Sequence, residues 1–166
     1  MALILYIMYA RRLRRKNRVL FNTITKYQQV RDSLFTPCAN PVQDEVSTQE
    51  VLYSKLCNLM LEQELFKNPQ INREELAAEL NTNRTYLTDA IKSCSQGLTF
   101  TEYLNRYRLR YAANLLTENM SYSINEIGER AGFNSRSTFN RLFRDFYGMS
   151  PSEYKIISKE KWLANS

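Results

Sequence analysis

The stretch "SINEIGERAGFNSRSTFNRLFRDFYGMSP", residues 123–151, decides the fold of this 166-residue chain. A short helical pattern over residues 125–131 is followed by Gly132, which allows a tight turn, and by Ser135, which can cap a second helix reaching about Tyr147. The pattern therefore predicts a helix, a short turn and a second helix. In the second helix, apolar residues recur at i, i+3, i+4 and i+7 and form one stripe: Phe139, Leu142, Phe143 and Phe146.

The same unit occurs earlier in the chain, in "REELAAELNTNRTYLTDAIKSC", residues 73–94. When Leu76 is aligned with Ile127 in the first helices, Leu87 aligns with Phe139 in the second helices, and the later turn is one residue longer. Repetition of the unit indicates two helix-turn-helix modules rather than two unrelated helical hairpins. The apolar stripe of the earlier second helix is formed by Leu87, Ala90, Ile91 and Cys94.

Further helices are predicted before and between the two units. Ser47 and Glu50 have the spacing of a capping box before "VLYSKLCNLMLEQELF", and Asn72 can cap the helix that follows. Between the units, "LTFTEYLNRYRLRYAANLLTEN" predicts a helix of about 17 residues, roughly 25 Å long. Because successive major-groove faces of DNA lie about 34 Å apart, such a helix can act as a spacer between two DNA-reading helices. Its arginines either contact phosphate or are solvated: Arg106, Arg108 and Arg110.

The face opposite each apolar stripe carries side chains suited to the edges of DNA bases. Arg can fork onto guanine, Asn can pair with adenine, and Ser and Thr can make secondary polar contacts. A solvated helix face would also be polar, but such a face on the second helix of a repeated unit, seen twice, favours DNA contact. The candidate base-reading residues are Arg84, Thr85 and Thr88 in the earlier unit and Arg136, Ser137, Asn140 and Arg141 in the later one.

Composition and charge narrow the classes of function. The chain has no histidine, and its three cysteines lack the spacing of a zinc site. Since it also lacks a Gly-rich phosphate loop, the sequence predicts no enzyme, no metal site and no cofactor. The net charge of +6 is uneven, because residues 1–35 carry +7, residues 36–99 carry −4 and residues 100–166 carry +3. The basic excess must therefore be explained mainly by the first segment.

The first segment, residues 1–35, combines an apolar run with a basic cluster. Its apolar residues 2–10 are about half of the roughly 20 needed to cross a bilayer, and arginines follow them directly. Three interpretations stay open: the cytoplasmic end of a transmembrane helix from a longer chain, an interfacial anchor, or a soluble amphipathic helix. A 3-4 spacing over residues 13–34 is also typical of a short coiled coil, which would form a homodimer, or of a helix packed on its own domain.

Residues from about 48 to 157 resemble the DNA-binding domain of AraC/XylS-type bacterial transcription regulators. The family pattern near the C-terminus matches this chain in order at Ile124, Ile127, Gly132, Phe133, Ser135, Phe139, Phe143, Arg144, Gly148, Pro151 and Tyr154. The upstream strings "EELAAEL" and "FTEYLNRYRLRYAANLL" agree as well. The chain departs from the pattern at Asp89, where members often place a base-reading polar or basic side chain. Since the segment around the first unit is also net acidic, we expect this unit to contribute less affinity than the second.

The resemblance implies a mechanism. The second helix of each unit would enter a major groove, and the protein would recruit or position RNA polymerase at a promoter in the cytoplasm. Members of the family usually act under the control of a separate sensing domain, and some sit at the end of a membrane-spanning sensor on the inner membrane. The residues expected to hold phosphates are Asn83, Lys92, Ser135, Arg144 and Lys155.

The predicted organisation has four parts. An anchor stub with an amphipathic, juxtamembrane-type basic helix covers residues 1–35, a linker covers 36–47, the double helix-turn-helix domain covers 48–157 and a tail covers 158–166. The predicted function is sequence-specific regulation of transcription on double-stranded DNA. The alternative is a helical protein-interaction module of a membrane-anchored signalling protein, which does not bind DNA and which would explain the acidic middle segment.

Overall fold

The computed structural model describes residue 21, residues 47–118 and residues 121–164 of the chain. Within residues 47–164 the described chain forms seven α-helices and one 3₁₀ turn and contains no strand, which confirms the predicted all-α fold with two helix-turn-helix units. The elements are α1 (Thr48–Glu62), the 3₁₀ turn (Leu65–Lys67), α2 (Arg73–Glu79), α3 (Arg84–Cys94), α4 (Phe100–Glu118), α5 (Ile124–Arg130), α6 (Arg136–Tyr147) and α7 (Pro151–Ala164). We call α2 and α3 with their turn the first unit, and α5 and α6 with their turn the second unit.

Short polar residues begin several of these helices, as the sequence predicts. The hydroxyl of Ser47 accepts a hydrogen bond from the amide of Glu50, and the Glu50 carboxylate accepts one from the amide of Ser47, so the capping box is present. At the starts of α2 and α6, the side-chain oxygens of Asn72 and Ser135 accept from the amides of Glu75 and Thr138, without the reciprocal bond of a capping box. Each cap satisfies an amide that the first turn of a helix leaves without a partner, which stabilises the helix by about 1 kcal/mol.

The long helix α4 belongs to two hydrophobic cores. The first core surrounds Leu56, Met60 and Leu76 and takes Tyr103 and Leu104 from the N-terminal half of α4. The second core surrounds the apolar faces of α5, α6 and α7 and takes its α4 residues from positions 109–116. Because α4 has 19 residues, and is therefore about 28 Å long, one rigid element supports both units.

The apolar stripe of α6 differs in part from the predicted one. Phe139 and Phe143 are fully buried, whereas Leu142 and Phe146 are only partly buried. Tyr147 is buried beside them, with its ring stacked on Phe143 at a centroid distance of 4.4 Å. The stripe therefore follows i, i+4 and i+8, because α7 packs along that side of α6 and covers Tyr147.

The last helix continues past residue 157, where the sequence analysis ends the domain. α7 runs from Pro151 to Ala164 without a break. Ser158 is buried, and its hydroxyl donates to the carbonyl of Tyr154 at 2.8 Å. A tail over residues 158–166 is thus helical over most of its length, and the division of the chain into domains stays a prediction.

The predicted anchor stub, basic cluster and coiled-coil seam lie outside the described residues, apart from Phe21, as does nearly all of the predicted linker. Phe21 is helical and buried, and its ring centroid lies 4.6 Å from that of Tyr154 on α7. One residue of the first segment therefore packs on the second core. Among the helices that the structure describes, none has the length and apolar character needed to cross a membrane.

Candidate nucleic-acid interface

The turn of the second unit sets the position of α6. Gly132 has φ +85°, and its amide donates to the carbonyl of Glu129 at 2.9 Å. The next amide, that of Phe133, reaches back to the carbonyl of Gly128 at 3.0 Å. A left-handed residue at this place lets the chain reverse directly from α5 into the cap of α6.

The outward face of α6 is basic and polar. Arg136, Ser137, Arg141 and Arg144 are exposed, and Asn140 is half-buried at the edge of this face. The structure therefore brings together all four base-reading candidates of the second unit on one accessible helix surface. Since the opposite face is buried in the second core, α6 cannot turn these side chains inward without exposing its aromatic stripe.

The side chains on this face differ in how they are held. Arg141 Nη1 lies 3.6 Å from Asp145 Oδ2, and both side chains are more than half exposed, so the pair is weak and can give way to a ligand. Ser137 Oγ lies 2.9 Å from Ser135 Oγ. Within the described ranges no carboxylate pairs with Arg136 or Arg144. These two guanidinium groups are the most readily available to DNA.

The corresponding helix of the first unit, α3, presents a more constrained face. Arg84 and Thr85 are exposed, but Arg84 Nη1 donates to Glu74 Oε1 at 3.2 Å. The pKa of Glu74 is held below its usual range by its own backbone amide and then by Arg84. Thr88 is half-buried and its hydroxyl donates to the carbonyl of Arg84 at 2.7 Å, so only its acceptor capacity remains for a base.

The predicted phosphate-binding residues fall into two groups. Lys92 and Arg144 are exposed on the outward faces of α3 and α6. Asn83 and Ser135 cap these helices, so their side-chain oxygens accept from the amides of Tyr86 and Thr138. Lys155 is separate from both groups, since it is half-buried on α7 and its ammonium donates to the carbonyl of Tyr122.

Near this surface, one residue was missed by the sequence analysis and another differs from its expected role. Tyr86 is 60% exposed in the first turn of α3, on its flank towards α1, where it lines a cleft of about 510 Å³ with Val51 and Leu52. The signal that could have revealed it is the position of this exposed tyrosine outside the apolar stripe of α3. Arg108 of α4, expected to contact phosphate or to be solvated, is instead half-buried, and its guanidinium donates to backbone carbonyls of the segment before α2.

A cluster of polar side chains lies in the first core, beneath the interface. Tyr103 Oη lies 3.6 Å from Cys57 Sγ and 3.2 Å from Tyr107 Oη. Burial raises the pKa of Tyr107 to about 12 and also raises that of Tyr103, so both phenols stay neutral at physiological pH. In the part of the chain that the structure describes, no three His, Cys, Asp or Glu side chains are grouped so that they could hold a metal ion. The two phenols are thus neutral, hydrogen-bonded groups of the core.

Comparison with known proteins is consistent with this geometry. Residues 76–156 match a family of domains described as a helix-turn-helix domain. The chain is 31% identical over 108 residues to the probable transcriptional regulator LumQ of Photobacterium leiognathi, and the match covers 65% of this chain and 42% of LumQ. It is 28% identical over 124 residues to the virulence regulon transcriptional activator VirF of Shigella flexneri, with 69% of this chain and 46% of VirF covered. The chain thus spans less than half the length of these two curated relatives.

Among solved structures, the chain resembles the DNA-binding domain of the global transcriptional factor AdpA in complex with a target DNA. The TM-score is 0.58 at 25% sequence identity, and the match covers 65% of this chain and 93% of that domain. The two helix-turn-helix units and the helix between them are therefore a known arrangement.

Proposed function

We propose that residues 76–156, which match a family of helix-turn-helix domains, form an AraC-type DNA-binding domain, and that the chain is a sequence-specific transcription regulator that binds double-stranded promoter DNA. Domains of this family are DNA-binding parts of transcription regulators and not enzymes. The proposed mode of binding is the insertion of α3 and α6 into successive major grooves, with α4 as the connector. The observation that supports this proposal most is the outward face of α6, which carries four exposed side chains able to contact DNA and has the half-buried Asn140 at its edge.

The proposed roles follow from the chemistry of each side chain. Arg136 and Arg141 can each donate two hydrogen bonds to guanine, and Asn140 can pair with adenine. In the first unit, Arg84 would read a base once DNA displaces Glu74, while Thr85 and Thr88 would make secondary contacts. The exposed Lys92 and Arg144 would hold phosphates, together with the amides at the starts of α3 and α6.

In this proposal Asn83 and Ser135 contribute to phosphate binding mainly by ordering the first turns of α3 and α6. Their side-chain oxygens are used as caps, which aligns the neighbouring amides towards the groove. Lys155 is the weakest of the phosphate candidates, because its ammonium is already bonded to the carbonyl of Tyr122.

The proposal also includes the cellular location, the partners and the oligomeric state of the chain. A regulator of this type acts in the cytoplasm, where promoter DNA lies, and it would recruit or position RNA polymerase. The N-terminal stub, residues 2–18 with the apolar run and the basic cluster, would tether it to the cytoplasmic face of the inner membrane, and the 3-4 spacing over residues 13–34 would pair two copies. Fractionation of cells and sedimentation of the purified chain test the tether and the homodimer separately.

The test of DNA recognition is selection of a binding site from a randomised duplex library by the full 166-residue chain, at two salt concentrations. The proposal predicts enrichment of one motif with two half-elements about one helical turn apart. A parallel selection uses the Arg136→Ala/Arg141→Ala variant. Each lost base contact should cost about 1–3 kcal/mol, so the variant should lose the half-element read by α6.

A control variant, Lys159→Ala, removes an exposed positive charge from α7, away from both recognition helices. It should retain the wild-type motif and lose little affinity. Weak binding that added salt abolishes, with no enriched motif and no effect of the double variant, would contradict the proposal. That outcome would instead favour a helical module for protein contacts.

A further inference from the structure

The segment at residues 66–69, between α1 and α2, lies where the two units meet. The ring of Phe66 is buried in the first core, together with Leu87 and Ile91 of the recognition helix α3. The backbone carbonyls of the same segment face the other way, towards α4 and the second unit. This segment therefore joins the core that seats α3 to the surface against which the second unit packs. We call it the junction segment.

Arg108 of α4 holds the junction segment from one side. Its Nε donates to the carbonyl of Phe66 at 2.8 Å, and its Nη2 donates to the carbonyl of Asn68 at 2.9 Å. The guanidinium carbon also lies 6.0 Å from the centre of the Phe133 ring in the second unit. Loss of water around the guanidinium lowers the pKa of Arg108, and the structure describes no carboxylate paired with it. Its planar fork thus binds protein backbone rather than phosphate.

The turn of the second unit holds the junction segment from the other side. A Cβ atom on Gly132 would lie 2.6 Å from the carbonyl oxygen of Phe66 and 2.8 Å from that of Lys67, so the two backbones touch with no room for a side chain. Two residues further on, Asn134 Nδ2 donates to the carbonyl of Pro69 at 3.3 Å. Ser135, the cap of α6, follows immediately. The start of the second recognition helix is therefore positioned directly against the junction segment.

We propose that these contacts, made by the junction segment with Arg108 and with residues 132–134, fix the separation and angle of α3 and α6 and so determine which spacing of two DNA half-elements is bound. The inference rests on the proposed function. The helix α4 connects the two units, and the backbone-to-backbone contact beside α6 adds a second connection that resists bending or twisting of one unit relative to the other. Arg108 and Asn134 are positioning residues in this account and do not contact DNA.

The test measures affinity for duplexes in which the two selected half-elements are moved apart or together in single base-pair steps. For the full wild-type chain, a shift of about half a turn should lower affinity by about 100-fold, because both helices can no longer bind at once. Arg108→Met keeps the apolar stem and removes the fork, and it should reduce this penalty to about tenfold or less. Asn134→Ala should broaden the spacing profile in the same direction by a smaller factor.

Two further measurements keep the test decisive. The first is thermal unfolding, which shows whether each variant is folded. Asn134→Ala should fold normally, because it removes an exposed hydrogen bond without changing either core. Asn114→Ala, an exposed position on α4 away from the junction segment, is the matched control and should keep the wild-type profile. The second measurement is affinity for a duplex with a single half-element, which should be unchanged in all variants.

The outcomes separate this inference from the function on which it rests. If no motif is selected by the wild-type chain, the proposed function fails. If a motif is selected but the wild-type chain tolerates every spacing, or if folded Arg108→Met and Asn134→Ala keep the wild-type profile, then DNA binding stands and the role of the junction segment is refuted.

Discussion

The two helix-turn-helix turns have the same local geometry but different surroundings. Asn81 in the first turn has φ +51° and its amide donates to Ala78, while Gly132 in the second has φ +85° and its amide donates to Glu129. Asn81 is exposed, whereas Gly132 is buried against the backbone of the junction segment. A left-handed turn accepts Asn or Gly, but only glycine allows another backbone to come this close. The repeat unit therefore specifies the shape of the turn, and tertiary contact specifies its residue.

The packing of the paired helices follows the same logic. In the first unit Ala77 of α2 shares the core with Leu87 of α3. At the aligned positions of the second unit, Gly128 faces Phe139, and a Cβ on Gly128 would lie 3.0 Å from the ring. A larger residue on the recognition helix is thus accompanied by a smaller one on the helix beneath it, which keeps both units at similar packing density.

Charge is the third difference between the units. Residues 73–94 of the first unit carry three basic and four acidic side chains, while residues 124–147 of the second carry four basic and three acidic. Asp89 of the first unit aligns with Arg141 of the second. Because phosphate contacts supply much of the affinity for DNA, we expect the second unit to bind more strongly than the first.

The largest effect on folding is expected at the second turn. Gly132→Ala should lower the free energy of unfolding by about 2–4 kcal/mol, because it adds a collision with the Phe66 carbonyl to the strain of a left-handed alanine. Asn81→Ala, the matched change in the first turn, adds strain without a collision and should cost about 1 kcal/mol. Denaturant unfolding measures both, and equal losses would remove the distinction between the two turns.

The next effect is expected in DNA binding. Arg136→Ala should weaken binding to the selected site by about 1–3 kcal/mol, because this guanidinium has no ion-pair partner in the described structure. Arg84→Ala should cost less, since Arg84 gives up its bond to Glu74 when it binds DNA. Fluorescence titrations with the selected duplex compare the two variants. A greater loss from Arg84→Ala would reverse the ranking of the units.

The pairing of Gly128 with Phe139 can be tested by making the second unit resemble the first. Gly128→Ala alone should destabilise the fold by about 1 kcal/mol, because crowding of the ring outweighs the better helix propensity of alanine. In a Phe139→Leu background the same change should stabilise by about 1 kcal/mol, since leucine leaves the space that Ala77 fills beside Leu87. Unfolding of the four proteins gives the coupling directly, and an identical effect of Gly128→Ala in both backgrounds would show that the ring is not the constraint.

The smallest effect is expected at Asp89. Asp89→Asn removes an exposed negative charge beside the groove face of α3 and should strengthen DNA binding by about 0.5 kcal/mol. The gain should shrink as salt is added, because the interaction is between exposed charges. A titration series in salt checks this, and weaker binding by the variant would mean that Asp89 accepts a bond from a base.

Local sequence features predicted much of this molecule. The caps at Ser47, Asn72 and Ser135 and the repeated unit were predictable because they depend on residues within one or two helical turns. Arg108 was not, since nothing in its spacing shows that two distant carbonyls approach it. The continuation of α7 and the burial of Tyr147 also depend on packing between helices that are separate in sequence. The roles of the base-reading residues stay predictions.

In the proposed mode of binding, both units read DNA and the second contributes more. The decisive measurement is a titration of the full chain with the selected duplex and with two versions in which one half-element is scrambled. The half-element read by α6 can be identified with the Arg136→Ala variant: when that half-element is scrambled, Arg136→Ala no longer weakens binding. We expect that scrambling either half weakens binding and that scrambling this half weakens it more. Unchanged affinity for one scrambled duplex, or a greater loss at the half read by α3, would contradict it.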